Sequence, residues 1–163
     1  MELLVRFARY SLWVDDKVFQ ACGRLSAGDY FRKRPVFFGS IHGTLNHVLA
    51  VDRIGLGRIE GTDSGVNRID DVLYPDLASL WAARRQVHER VIGLTESLDA
   101  VGLDRVVPYR DEQGRDAPAC LGDALLGLLT HQAHHRGQVY TMLFESGIDL
   151  PGYDIVEFAL QDQ

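Results

Sequence analysis

Apolar positions recur every three and four residues in four long stretches of the chain, the spacing that turns one face of an α-helix toward a core. The first stretch runs from about residue 2 to 25 and carries Leu4, Phe7, Val14, Val18 and Cys22, with Asp15, Asp16 and Lys17 on the other side. It should stop near Gly23. Ser26-Ala27-Gly28-Asp29, followed by Arg32-Lys33-Arg34-Pro35, reads as a connection with a solvated basic run. The second helix should begin at Ser40, a good N-cap, and pass through Ile41, Leu45, Val48, Leu49, Val51, Ile54 and Leu56 to about Glu60, where Gly61 ends it. Residues 61–75, rich in Gly, Asp, Ser and Asn, predict a long loop closing in Tyr74-Pro75, and a loop of that length is a candidate border for a site. A third helix should start near Asp76 and bury Leu80, Val87, Val91, Leu94 and Leu98, with Trp81, His88 and Ile92 widening the stripe. His88 falls at its margin and receives no role. The fourth helix, Leu121 to Phe144, places Leu121, Leu125, Leu128, Val139, Met142 and Leu143 on one side.

Between Val106 and Pro118 the pattern changes to Val106-Val107-Pro108-Tyr109 and Asp116-Ala117-Pro118, which predicts a short hairpin turning at Gln113-Gly114. Gly147 and Pro151 should close the last helix, and the apolar tail from Tyr153 to Leu160 should pack back on the body. Four amphipathic helices with a small extended insert before the last one imply an all-α four-helix bundle, in which sites are built between facing helices. The whole chain, 1–163, is expected to be one domain.

Composition narrows the function. A net charge of −6 and a pI near 5.4, with no block of Lys and Arg, argue against nucleic acid as a partner. No apolar run reaches the length of a membrane span, and Met1-Glu2-Leu3-Leu4-Val5-Arg6 lacks the apolar region of a signal peptide, so a cytoplasmic protein is expected. Cys22 and Cys120 lie far apart without CxxC spacing and read as reduced, buried thiols.

The candidate chemistry sits in Thr130-His131-Gln132-Ala133-His134-His135-Arg136-Gly137-Gln138, which holds three of the six histidines. His131 and His135, four apart, project from neighbouring turns onto the apolar stripe, within reach of one metal ion. His134 lies about 100° away, beside Gln138. Imidazoles on an apolar stripe are costly to bury unless their ring nitrogens are satisfied, and a metal does that. On the second helix His47 shares a face with Ser40, Gly43, Thr44 and Val51, small enough for another helix to approach. His42, about 140° round from it, cannot reach the same point. His47 is therefore the expected third ligand. Gln138 is a candidate for orienting a ligand or a bound water, with His134 beside it, whereas Arg136 points away from the stripe and reads as a surface or dimer contact. Tyr10 and Trp13 are candidates to line the open side of the site.

Other sites fit poorly. No Glu is followed three residues later by His, as di-iron bundles require. Gln132 breaks the HExxH pattern at its general base, and neither a phosphate-binding glycine loop nor a nucleophile elbow is present. What survives is a three-histidine site with an open fourth position, suited to zinc and also to nickel, iron or cobalt.

With Phe7-Ala8-Arg9-Tyr10-Ser11-Leu12-Trp13, Gly39-Ser40-Ile41-His42-Gly43-Thr44-Leu45-Asn46-His47-Val48-Leu49 and His131-Gln132-Ala133-His134-His135-Arg136-Gly137-Gln138-Val139, the chain resembles the DinB/YfiT-like metalloenzymes over nearly its whole length. That family is unrelated to the translesion polymerase sharing the name. The match departs at Thr130, where family members often carry Asn. The resemblance implies an up-down-down-up bundle, usually a homodimer, with His47, His131 and His135 as metal ligands. It further implies a small-molecule substrate and a cosubstrate thiol such as bacillithiol, mycothiol or glutathione, bound as thiolate. Metal-assisted hydrolysis by the same ligands, and a stress-linked metal-binding bundle without turnover, are the competing readings.

Overall fold

A computed structural model describes residues 2–110, 115–150 and 152–161. Four long helices carry the fold: α1 (Glu2–Cys22), α3 (Ile41–Glu60), α4 (Leu77–Ser97) and α6 (Leu121–Glu145). Shorter elements fill the connections: α2 (Ala27–Phe31), α5 (Ala100–Leu103), the strands β1 (Val106–Arg110) and β2 (Asp116–Cys120), and α7 (Ile155–Gln161). The expected connection after α1 thus contains one turn of helix, capped by Ser26 Oγ, which accepts the Asp29 N–H. The Gln113-Gly114 turn and Pro151 lie outside the described residues.

Local chemistry sets the ends of the ligand-bearing helix α3. Ser40 Oγ accepts the Gly43 N–H at 2.9 Å, and Gly61 closes the helix in the left-handed region at φ 70°. Asp76 caps α4 in the same manner, its carboxylate taking the Ser79 N–H at 2.8 Å.

Side-chain pairs fix the directions of the helices. Arg9 meets Glu96 and Asp15 meets Arg84, so α1 and α4 run antiparallel. Asn46 with Tyr74, Asp52 with Arg84 and Glu60 with Arg90 advance together, so α3 and α4 run parallel. Ser11 meets Gln132, and Arg32, beyond α1, meets Ser146, beyond α6, so these two helices are parallel. Asp52 meets Gln132 while His47 meets His135, which makes α3 and α6 antiparallel. The result is the up-down-down-up bundle, and the parallel pair α3 and α4 is what makes the 61–76 connection long: it must travel the length of a helix.

The core lies where the periodicity puts it: Val14, Val18, Ile41, Leu45, Leu49, Leu80, Val87, Val91, Leu125, Leu128, Met142 and Leu143 are buried together. Each full burial of such a side chain contributes roughly 1.5–3 kcal/mol. Gly55 sets the approach of α3 to α6, since a Cβ there would meet Leu128 Cδ2 at 2.5 Å. The hairpin pairs Val106 with Cys120 through Arg110 with Asp116, and β1 lies against α3 and α6. The tail packs back as α7 on α1, with Phe158 buried against Tyr10 and Trp13. Among the described residues no helix is long and apolar enough to cross a membrane.

Several polar residues depart from the sequence expectations. Asp15, placed on the outer side of the first helix, is buried, as are Arg84, His88 and Arg136. Arg34 in the basic run is buried as well, donating to the Asp29 and Arg32 carbonyls and to Ser146 Oγ. Cys120 is exposed, because it occupies the N-cap of α6 at the edge of the hairpin, whereas Cys22 is buried and its thiol is pushed up to about 12 by desolvation.

Candidate metal centre

The structure brings His47 of α3 together with His131 and His135 of α6. Their ligand nitrogens lie within 4.8 Å of one another, and no other group of three or more His, Cys, Asp or Glu side chains with that spacing occurs among the described residues. His47 Nε2 is 3.2 Å from His131 Nε2, which is 3.1 Å from His135 Nε2. Two imidazoles on a tetrahedral ion at about 2.0–2.1 Å each stand roughly 3.3–3.4 Å apart, so this spacing is close to that of ligands on one cation.

The outer ring nitrogens decide what points inward. His47 Nδ1–H donates to the Ile69 carbonyl at 2.8 Å, and His135 Nδ1–H donates to Gln138 Oε1 at 2.8 Å. Both rings, neutral with Nδ1 protonated, therefore turn Nε2 lone pairs toward His131 Nε2. A single proton on His131 Nε2 satisfies only one of them, and its buried Nδ1 has no partner. A divalent cation satisfies all three Nε2 atoms at once, so the residues fit the group. Burial holds all three rings below the ordinary imidazole range. His131 is pushed down to about 3, by desolvation first and then by the neighbouring His135 and His47 rings. Neutral imidazole is the form that ligates.

Gln138, singled out for orienting a ligand, also donates its Nε2–H to His134 Nε2 at 3.1 Å, so exposed His134 buttresses the amide and takes no place in the cluster. Thr130 is exposed and its hydroxyl donates to the Leu126 carbonyl, away from the histidines. His42 is buried on another face of α3 against Tyr30 and Asn46, as the helix geometry requires.

The wall of the site comes from a residue that periodicity could not select. Phe38, in the turn before α3, stacks on His47 with ring centroids 3.6 Å apart at 16°, and faces His135 edge-on at 5.6 Å. Gly43 makes this possible, because a Cβ there would lie 2.1 Å from the Phe38 carbonyl oxygen. The small face around His47 thus admits a turn of its own chain at Gly43, beside the helix α6 that brings His131 and His135 to the same ring. Tyr10 and Trp13, expected near the open side, instead pack with Tyr153 and Phe158, and Tyr10 donates to the Tyr153 carbonyl.

Beside the histidines runs a buried ionic network that joins all four long helices. Arg84 binds Asp15 at 2.6 Å and also Asp52, and His88 donates to Asp15 at 2.8 Å. Gln132 donates to Asp52 and accepts from Ser11, while Arg136 donates to Ser11 and Asp15. The Arg84 guanidinium, with His88 and Arg136, holds the Asp15 carboxyl well below the usual carboxylate range. Arg136 is therefore an interior link and not a surface contact. His88, one turn beyond Arg84, is a member and not a margin residue. An arginine on a helix stripe reads as surface by residue type, and only its pairing with Asp15 and Asp52 reveals the interior role.

Comparison with known proteins bears on the fold and the family. The model of the DinB family matches residues 1–162. No curated protein matches the chain. Among solved structures, a DinB-like protein from Bacillus cereus superposes with a TM-score of 0.68 at 17% identity, covering 93% of this chain and 96% of that one. A DinB-like protein from Bacillus subtilis gives 0.63 at 20% identity, covering 91% and 97%. These likenesses carry the bundle architecture.

Proposed function

The chain belongs to the DinB family, and on that premise we propose that it is a metal-dependent S-transferase, holding a divalent cation through His47, His131 and His135 and using a low-molecular-weight thiol as cosubstrate. The observation that carries this reading is the convergence of three neutral Nε2 atoms with no carboxylate among them. A divalent ion bound by three uncharged ligands keeps its full double charge and so lowers the pKa of whatever occupies its open position.

The chain's own residues do the rest. Ile69 and Gln138 hold the inward tautomers, and Phe38 shields His47 from water on one face. The carboxylates Asp15 and Asp52 are buried and ion-paired with Arg84, and no carboxylate joins the three histidines to serve as general base for hydrolysis. A thiol, with a free pKa of about 8.5, needs only a modest shift to ionise at neutral pH, which favours thiol transfer over hydrolysis. Zinc or nickel suits the ligand set, with iron and cobalt as alternatives. The family resemblance supports a homodimer acting on a small molecule, and a sedimentation run showing a monomer at micromolar concentration would contradict that assembly.

The test is a screen of metal-loaded protein against alkylating electrophiles with glutathione, bacillithiol or mycothiol, beside ester and amide substrates without thiol. Thiol-dependent product formation is expected. Turnover confined to the thiol-free substrates would make it a hydrolase, and metal-loaded protein inert toward both would leave a binding bundle.

A further inference from the structure

We infer that the segment from Arg68 to Tyr74 is an orienting arm of the histidine cluster and that Asn46 is its clasp, a positioning residue that fixes the tautomer of His47. The inference rests on the metal-site reading above.

The arm meets α3 at two adjacent residues. His47 Nδ1–H donates to the Ile69 carbonyl. One residue earlier, Asn46 takes both backbone polar groups of Tyr74: its Oδ1 accepts the Tyr74 N–H at 3.0 Å and its Nδ2 donates to the Tyr74 carbonyl at 3.3 Å. A side-chain amide paired with a peptide unit in this way ties a loop as a neighbouring strand would, with two bonds and a fixed direction. Asn46 is 1% exposed, so its bonds form away from competing water. It is braced from behind by a third contact to the His42 carbonyl at 3.1 Å, and His42 is itself held by Tyr30.

Around the Ile69 attachment point the arm is tied by its own bonds. The Arg68 N–H donates to Asp71 Oδ2 at 2.9 Å, the Asp71 N–H returns to the Arg68 carbonyl at 3.2 Å, and the Arg68 guanidinium spans both Asp70 oxygens at 2.9 Å. Arg53 donates to the Tyr74 hydroxyl at 2.7 Å, adding a second tie at the clasp end. The turn thus presents the Ile69 carbonyl at a fixed point, and that carbonyl is the only acceptor His47 Nδ1 meets among the described residues. Without it, a neutral imidazole is free to place its proton on Nε2, where it would block the lone pair that faces His131. Outer partners of metal-ligating histidines typically change metal affinity ten- to a hundredfold when removed.

The experiment uses the whole chain, wild type and Asn46→Ala, and reads two quantities. Nitrogen-15 imidazole shifts of the metal-free protein at a pH where the rings are neutral report the His47 tautomer. Competition with a chromogenic chelator reports zinc affinity. In wild type His47 should be protonated on Nδ1. In Asn46→Ala it should become a mixture, with His135 unchanged, and zinc affinity should fall about ten- to a hundredfold. An unaltered His47 tautomer in the variant, or an unaltered zinc affinity, would overturn the clasp. Wild type that binds no zinc would instead overturn the metal reading, and the tautomer alone would then decide the clasp. Should Asn46→Ala fail to fold, Asp71→Ala, which loosens the turn through an exposed bond, is measured in its place: the same tautomer mixing and affinity loss are expected, and their absence would overturn the clasp equally.

Discussion

His47 on α3 and His131 on α6 face each other Nε2 to Nε2 across 3.2 Å, though 84 residues of chain separate them. Two neutral ring nitrogens at that distance share at most one proton, and the His135 Nε2 competes for the same partner. The bundle has folded three lone pairs toward one point. Its buried charges and the turn before α3 both bear on whether that point is held, and each gives a measurable expectation.

Arg84 neutralises two carboxylates in the bundle interior, Asp15 and Asp52. Its replacement by methionine leaves Asp52 buried without a cation and Asp15 with only Arg136 and His88, and breaking a buried pair from one side costs about 3–5 kcal/mol. Arg84→Met should therefore lower the urea midpoint sharply or prevent folding. The double variant Asp15→Asn with Asp52→Asn on the Arg84→Met background should regain part of the loss. A midpoint for Arg84→Met within error of wild type would show that water reaches the network.

Gly43 lies under the Phe38 carbonyl, and the backbone there cannot yield as a flexible side chain would. Gly43→Ala should displace the turn that seats Phe38 on His47, costing about 1–3 kcal/mol as an overpacked site does. It should also weaken metal binding, because the His47 ring loses its stacked neighbour. Chemical denaturation and chelator competition on the same variant check the two parts separately, and unchanged values in both would contradict the close approach.

Acid should destabilise the metal-free protein well before Asp15 titrates. In the unfolded chain an imidazole takes its proton near pH 6.5. Burial depresses His42, His47, His88, His131 and His135 in the folded state, His131 down to about 3. Between those values the unfolded state binds more protons, so stability is complete above about pH 6.5 and falls as pH drops through that range. Asp15, held below the carboxylate range, adds its own loss only below about pH 4. Urea midpoints of the metal-free protein should stay level from about pH 8 to about pH 7 and fall from there to about pH 5. His131→Gln should flatten the fall, and a level profile in wild type would contradict the burial of these rings.

How much of this is legible in the sequence follows from what kind of signal each residue gives. Ser40 and Gly61 bracket α3 because helix ends obey local rules, and the i, i+4 spacing of His131 and His135 is a property of one helix. His47 can be chosen over His42 because helical winding separates them. Phe38 cannot be found, since a turn has no period and its position depends on the space left by Gly43. His88 and Arg136 are misread, and Arg84 is passed over, for a different reason. Charge on a helix stripe signals solvent unless partners on other helices are known, and Asp15 and Asp52 lie 69 and 32 residues from Arg84. The 61–75 loop is recognisable by composition as a border of the site, but its contribution, the Ile69 carbonyl, is a backbone atom that no residue type announces.

The most direct test of the central claim is the metal content of protein purified without a histidine tag, for wild type, His47→Ala and His131→Ala. About one equivalent of a divalent transition metal per chain is expected in wild type, with both variants folded and empty. Wild type that stays metal-free after incubation with zinc and nickel, or a His131→Ala protein that binds as much as wild type, would contradict it.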